Sequence, residues 1–594
     1  MRSDNSDDDN NSRLCVDDGS PDSSVSYCFR KPIISSLAAV CAVATTVIVA
    51  CTALLSTTTT RTAAHITEAV VQQQQQQPTT TSHRLLAELP TPKDRCPWVL
   101  DSFAARDGPD PNGTDTFLAD KYALQSQDFN IFFRASAPIF WHDYVKGNWG
   151  DYTRELFQDL DPSLSDKSTW TWVRTYMCVC VRVYFGRLGL EYVFVLVYMA
   201  HTHTTLSQQQ QQQVTGDQHM SNFGAWRNRH KDIVFGVNDF DEAAIFDFHV
   251  DVLRIAVSIC NHALANGFES DAPKLIEAFT KSYVDTVNGY VGNEDALLFE
   301  LTADTAHGKL RKELVEVEEK NSVSKQLNKF TRVGNNSGKR SFIKTGIGKA
   351  PHADTKLVRV SRDVEAKIRA AFTSKNYGAT MMKLGWNVRT WDDDFFRVLD
   401  VAQRVGSGVG SFGVDRYYVL LNGSDDDDDE DDRSVILDVK QVPAGATEGV
   451  LDADDQAWYD TLFQNPADRA IQAQRELTSY TDPYTGWLTI DDVAFTVRQR
   501  SPWKDDAINP DKLDEEEFEE CASQIAVATA TSHVRGSPAK APADFKNVMH
   551  SIMKTYANRK KWREGVENFA RAYHEQVLLD HQCFENFVKD KYNR

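Results

Sequence analysis

The sequence predicts an α+β fold standing behind an N-terminal membrane anchor, and three observations carry that expectation. Helically spaced apolar residues alternate with short β-rich runs across 232–590, an uncharged apolar run occupies 33–55, and a glycine-rich stretch at 406–413 leads straight into a strand-like segment. With 594 residues, 41% of them hydrophobic, the chain exceeds one minimal module and can bury a sizeable core. Its 85 Asp and Glu outnumber 65 Lys and Arg, and no cationic stripe is present, which argues against nucleic acid as a partner. The 10 cysteines are scattered without a CxxC pair, so neither a zinc site nor a thioredoxin-like motif is written into them.

Residues 1–32 and 56–90 are polar and low in complexity, with a Gln run at 72–77, and read as a disordered tail and linker. Between them Ile33 to Leu55 gives 23 uncharged residues, enough at about 1.5 Å per residue to cross a hydrocarbon layer of about 30 Å. Arg30 and Lys31 precede this span and only Arg61 follows closely, which favours a type II anchor with the C-terminal body lumenal or extracellular. Asn112-Gly-Thr and Asn422-Gly-Ser would then be glycan acceptors. Residues 173–213 fit nothing around them. They hold Cys-Val-Cys-Val and a closing Gln run, are broken by Arg182, Arg187 and Glu191, and read as a retained intron inside the 91–594 domain; a low-complexity surface loop is the alternative.

Within that domain the expected elements follow in order. Asp232 to Val237 is a short apolar strand and Phe246 to Leu264 an amphipathic helix. Further helices are expected at 270–290, 363–373, 466–480, 515–532 and 560–590. Asp415 to Leu421 and Ser434 to Gln441 are β-rich and bracket Asp425 to Asp432, so they form a hairpin with a hydrated acidic tip; the run lacks the alternate spacing of calcium loops.

Three pieces carry chemistry. In Gly216-Asp217-Gln218-His219-Met220-Ser221-Asn222, an Asp is followed five residues later by an Asn. Phosphoryl transfer needs a carboxylate that orients the attacking hydroxyl and a nearby amide oxygen on the metal, and kinase-type catalytic loops place both at this spacing. Asp217 is therefore the expected catalytic acid/base, with His219 beside it. Next, Asp239-Phe240-Asp241-Glu242 follows a strand and offers hard oxygen ligands, so Asn222, Asp239 and Asp241 are the expected Mg²⁺ ligands. Last, Gly408, Gly410, Ser411 and Gly413 form a GxGxxG run that precedes a strand rather than a helix, as in a kinase-type loop and unlike a dinucleotide fold. The strand after the acidic insertion ends in Lys440, placed to grip nucleotide phosphates.

The blocks DFNIFFRASAPIF (128–140), GDQHMSNFG (216–224), VFGVNDFDE (234–242), DVLRIAVS (251–258), DVAQRVGSGVGSFG (400–413), VILDVKQ (435–441), AIQAQRE (470–476) and VRQR (497–500) resemble the DUF2252 family. That resemblance implies a protein-kinase-like two-lobed fold related to aminoglycoside phosphotransferases, with ATP and Mg²⁺ as cofactors and no established acceptor. Gln441 and Gln472 depart from it where acids are expected, leaving Glu476 as a substitute partner for Lys440. The catalytic segment precedes the glycines, the reverse of the ordinary kinase order, so the fold is read as circularly permuted: 91–400 bears the catalytic loop, 401–510 the nucleotide loop and 511–594 the C-terminal helices. Arg134, Arg254 and Arg498 fall in the same blocks, and His533 in a further family-like stretch, without an assigned role. The leading expectation is a phosphotransferase acting on a hydroxyl-bearing acceptor, or an AMP transferase using the same parts. A membrane-anchored pseudokinase and a metal-dependent hydrolase are the alternatives.

Overall fold

The computed structural model describes residues 92–108, 116–157, 160, 211–334, 339–382, 395–406, 413–422, 434–504, 508–536 and 545–592, with the backbone of four short strands at 14–16, 27–29, 177–182 and 194–199. Residues Met1–Ala87 form a unit of their own, of which only an antiparallel pairing of Leu14–Val16 with Tyr27–Phe29 is described. The span expected over 33–55 lies outside the described residues. Among those that are described, no helix is long and apolar enough to cross a membrane.

In the second unit, Glu88–Arg594, five helices come first: α1 (Pro92–Asp107), α2 (Thr116–Gln125), α3 (Phe129–Ala135), α4 (Ala137–Val145) and α5 (Asn148–Phe157). Four strands follow, β1 (Gln211–Val214), β2 (Phe223–Arg227), β3 (Ile233–Val237) and β4 (Ala244–Asp247), paired antiparallel as β1 with β4 and β2 with β3. Next are α6 (His249–Ala265), α7 (Ala272–Gly289), α8 (Gly308–Lys320), α9 (Val323–Phe330), β5 (Thr331–Val333), β6 (Arg340–Phe342), β7 (Leu357–Val358), α10 (Arg362–Ala371) and α11 (Tyr377–Met382). The chain continues through β8 (Val398–Arg404), β9 (Arg416–Leu421), β10 (Val435–Gln441), α12 (Ala453–Leu462), α13 (Pro466–Leu477), β11 (Gly486–Ile490) and β12 (Val493–Gln499). It ends with α14 (Glu515–Gly536), α15 (Phe545–Met553) and α16 (Tyr556–Tyr592). The fold is α+β.

Two bodies of structure position the pocket. The first is helical. Helix α6 is buried nearly all round, from His249 to Ala263, its apolar residues in the core and its Asp251 and Arg254 turned to partners described below. It is packed by α7 and α16, and α14 lies against α7. Capping residues delimit the helices: Asp128 accepts a bond from Ile131 N (2.9 Å) ahead of α3, and Asn465 caps α13, with Pro466 in its first turn. A disulfide between Cys96 and Cys583 ties α1 to α16 across 487 positions, with Cα atoms 5.8 Å apart. Beside it the buried Arg95 pairs with both Asp143 and Asp580.

The second body is a six-stranded sheet in the order β7-β8-β9-β10-β12-β11, every neighbouring pair antiparallel. Its apolar residues alternate with a period of two, so Tyr417, Val419, Leu421, Leu437 and Val439 join one core cluster while Tyr418, Leu420 and Ile436 join another on the opposite face. The same alternation puts Asp438 and Lys440 on the Ile436 face, where Arg416 forks onto Asp438 and Arg498 lies opposite it in register.

The expected hairpin exists, pairing Leu421 with Val435 through Arg416 with Lys440, while its acidic tip lies outside the described residues. The helix expected from Phe246 starts at His249 instead, because Ala244–Asp247 is recruited as a strand by Val214–Gln211. The partner strand, Gln211–Val214, begins inside the segment read as an intron. Within it, Met177–Arg182 pairs with Phe194–Met199, and Gln213 is buried in the fold.

Candidate active site

The loop between β1 and β2 is held from below by a carboxylate. Asp251, fully buried on α6, accepts bonds from Thr215 N (2.8 Å) and Gly216 N (2.9 Å), and is itself met by His533 Nε2 at 3.2 Å; Tyr283 reaches the other ring nitrogen of His533 at 2.7 Å. Gly216 adopts φ +73°, and a Cβ there would sit 2.1 Å from the Glu242 carbonyl oxygen, so the turn requires glycine. The Gly216 carbonyl accepts from Trp141 Nε1 at 2.8 Å. This anchoring aims Asp217 into a pocket whose lining also includes Asn222, Asp239, Asp241 and Glu242.

Asn222 closes the loop by donating through Nδ2 to the Asp217 carbonyl (3.0 Å) and, more weakly, to that of Asp239 (3.4 Å). Its amide nitrogen is thereby committed to backbone and its Oδ1 remains an acceptor. Strand β3 delivers the next segment, and the Asn238 N–H bond to the Asn222 carbonyl (2.9 Å) joins the two. Lys440, 201 positions from Asp239, projects from β10 and places Nζ 3.1 Å from Asp239 Oδ2 and 2.5 Å from Asp241 Oδ2. Arg498 on β12 donates to the Asn238 carbonyl at 2.8 Å, fastening this loop to the sheet.

The charges are tuned by these neighbours. Burial pushes the Asp217 carboxyl up to about 6, against the opposing pull of Arg254, whose Nε donates to Asp217 Oδ1 at 2.6 Å. Burial would also raise Asp239, but Lys440 and Arg498 outweigh it and hold that carboxyl below the usual range, while burial and the charge of Asp239 push Asp241 up to about 6. Burial disfavours the Lys440 ammonium, yet Asp239 and Asp241 overcome this and raise its pKa. Glu242 is lowered despite burial, chiefly by Arg106, with which it pairs at 2.6 Å.

Asp217, Asn222, Asp239, Asp241 and Lys440 thus come together, and three other expectations fare differently. His219 is buried behind the loop, absent from the pocket wall, and its Nδ1 has no partner among the described residues; burial, then Arg134 and Arg254, push its pKa far down, which favours the neutral ring. Glu476 does not partner Lys440, because the two aspartates do, while Gln472 donates to Asp468 at 2.9 Å. Of the glycine loop, Gly408, Gly410 and Ser411 lie outside the described residues. Gly413, at φ +94°, abuts Phe117 of α2, and the stretch connects two neighbouring antiparallel strands, β8 and β9.

Arg134 and Arg254 gain roles, one in the pocket wall and one on Asp217. Phe103, Arg106, Asp107, Lys121 and Gln125, which α1 and α2 contribute to the same wall, were not foreseen. No spacing marks them, since their meeting with Asp217 is tertiary.

Oxygen donors from Asn222, Asp239 and Asp241 suit Mg²⁺, which is usually held by one or two carboxylates together with substrate phosphates. A pocket that sets carboxylates, an amide and a lysine around a raised aspartate belongs to the broad class of polar, charge-handling sites. The family described as uncharacterized proteins conserved in bacteria, DUF2252, matches residues 195–587, and the chain belongs to it. No curated protein and no solved structure matches the chain.

Proposed function

We propose that this protein is an ATP- and Mg²⁺-dependent phosphotransferase with a kinase-like fold in permuted order. The observation that carries the reading is the 3.1 Å approach of Lys440 to Asp239 beside Asp217 and Asn222, residues drawn from two distant parts of the chain. The sheet supports it: a glycine stretch joins β8 to β9, the lysine stands on the next strand, β10, and α13 follows before β11, which is how a kinase arranges its phosphate-gripping parts.

On this reading Asp217 orients the acceptor hydroxyl and takes its proton as the oxygen bonds to the γ-phosphorus; the γ-phosphorus–oxygen bond to ADP breaks, and ADP leaves. Asn222, Asp239 and Asp241 would hold Mg²⁺, which neutralises phosphate charge when bound. Lys440 exchanges part of its carboxylate pairing for the phosphates. The Cys96–Cys583 disulfide supports a translocated body anchored through 33–55, because such bonds persist in oxidising compartments.

A pseudokinase reading is favoured by one feature: α13 presents Gln472 where an acid would ordinarily hold the lysine. ATP turnover separates the two. Asp217→Asn is expected to keep nucleotide binding and lose about 10²-fold or more in rate, whereas Asp239→Asn loses both. Wild-type turnover in both variants refutes the residue assignments.

A further inference from the structure

The acid excess of the whole sequence does not hold locally. Residues 325–362 carry ten Lys and Arg against one acid, Asp354, inside a chain of formal net charge −20. The fold gathers them at the β7 edge of the six-stranded sheet. Strands β5 and β6 pair as a hairpin, Ile343 N returns to the Phe330 carbonyl at 2.8 Å, and Arg359 N reaches the Thr345 carbonyl at 2.9 Å, which stitches hairpin, loop 343–356 and β7 together. Phe330, Phe342 and Leu357 turn into a core cluster and leave the charged residues between them outside. Arg332, Lys349, Lys356, Arg359 and Arg362 are exposed, and none makes an ion pair among the described residues. Two apolar residues stand among these charges: Ile347, 62% exposed between two glycines, and Val333, 51% exposed.

A lysine or two commonly guards a sheet edge against pairing with other chains. Cations at this density repel one another, and exposed apolar side chains in their midst add nothing to such a guard. Together they have the composition of a docking face, in which charge steers the encounter and apolar groups make the contact. We propose that the surface built by β5, β6, loop 343–356 and β7 docks an acidic segment of another protein, with apolar side chains of that segment seated on Ile347 and Val333. Nucleic acid is disfavoured because both aromatic residues of the stretch, Phe330 and Phe342, are buried and leave no ring for a base to stack on. A bilayer is disfavoured because the Cys96–Cys583 disulfide supports an oxidising compartment, whereas the anionic leaflet is the cytoplasmic one. A sulfated polysaccharide would meet the cations and leave the two apolar residues uncovered. The Lys356 carbonyl accepts from Val405 N at 3.0 Å, so a docked protein lies beside the stretch that begins at Gly406, although the docking face does not depend on the phosphotransferase reading.

The test is fluorescence anisotropy of the full chain with a labelled Glu-rich peptide that carries leucines. The same peptide with serine in place of leucine, single-stranded DNA, dextran sulfate and phosphatidylserine vesicles are compared at equal charge concentration. The leucine peptide binds saturably, more tightly than the serine peptide, and more weakly as salt is raised. Lys349→Glu, Arg359→Glu and Arg362→Glu combined weaken it about 10-fold or more, and Ile347→Ser weakens it about 3-fold or more. Neither variant lowers the melting temperature, because all four side chains are exposed. Should the triple variant fail to fold, Ile347→Ser and the serine peptide decide the matter. The proposal is overturned if the leucine peptide does not bind or binds no tighter than the serine peptide, if DNA, dextran sulfate or the vesicles bind tighter, or if the folded variants bind as wild type.

Discussion

At the scale of single residues, Asp217 carries the most testable chemistry. It must be ionised to accept a proton, and its carboxyl is pushed up to about 6 by burial. Turnover under kcat/KM conditions should therefore rise as pH increases through about 6, and Asp217→Asn should abolish that limb along with most of the rate. The linkage runs in the opposite sense for stability. A folded-state pKa raised from 3.8 means the native chain binds this proton more tightly, so the stabilisation is fully present below about 4 and lost as pH rises through about 6. Denaturation of wild type and Asp217→Asn across pH 4–8 measures it; a gap between the two that does not change over that range contradicts the burial of this group.

Individual elements show what the sequence reveals and what it conceals. Helices α6, α7 and α13 were legible because apolar spacing is local, and β9 and β10 because alternation is local too. The start of α6 was misplaced because β4 owes its existence to pairing with β1, about which residues 244–247 carry no information. Likewise the meeting of Asp217, Asn222, Asp239 and Lys440 was legible because those residue types stand at the spacings of a kinase-type loop. Gln125 and Asp107 were not, since tertiary packing alone brings them to the pocket wall, and the partners of Lys440 came from a loop rather than the helix that order in the chain suggested.

Two element-level predictions follow from the packing. Gly216→Ala forces a side chain into φ +73° against the Glu242 carbonyl, and should cost at least about 2 kcal/mol in chemical denaturation while displacing Asp217. Cys583→Ser frees α1 from α16 and is expected to cost about 2–4 kcal/mol, with a joined Cys96–Cys583 peptide absent from its digest and present in that of wild type. Reduced thiols at both positions in wild type isolated from its native cells would contradict an oxidising location.

For the whole molecule, the account stands or falls on whether two separated stretches of chain make one nucleotide site. Loop 215–242 is pinned to the helical body through Asp251, and Lys440 to the sheet, so the pairing of Lys440 with Asp239 and Asp241 joins the two bodies at the point where phosphates and metal would bind. The most direct measurement is calorimetric titration of the intact chain with ATP in Mg²⁺ and again in chelator. Saturable binding that requires the metal is the predicted result. No binding in Mg²⁺, or binding of equal strength in chelator, would contradict the claim.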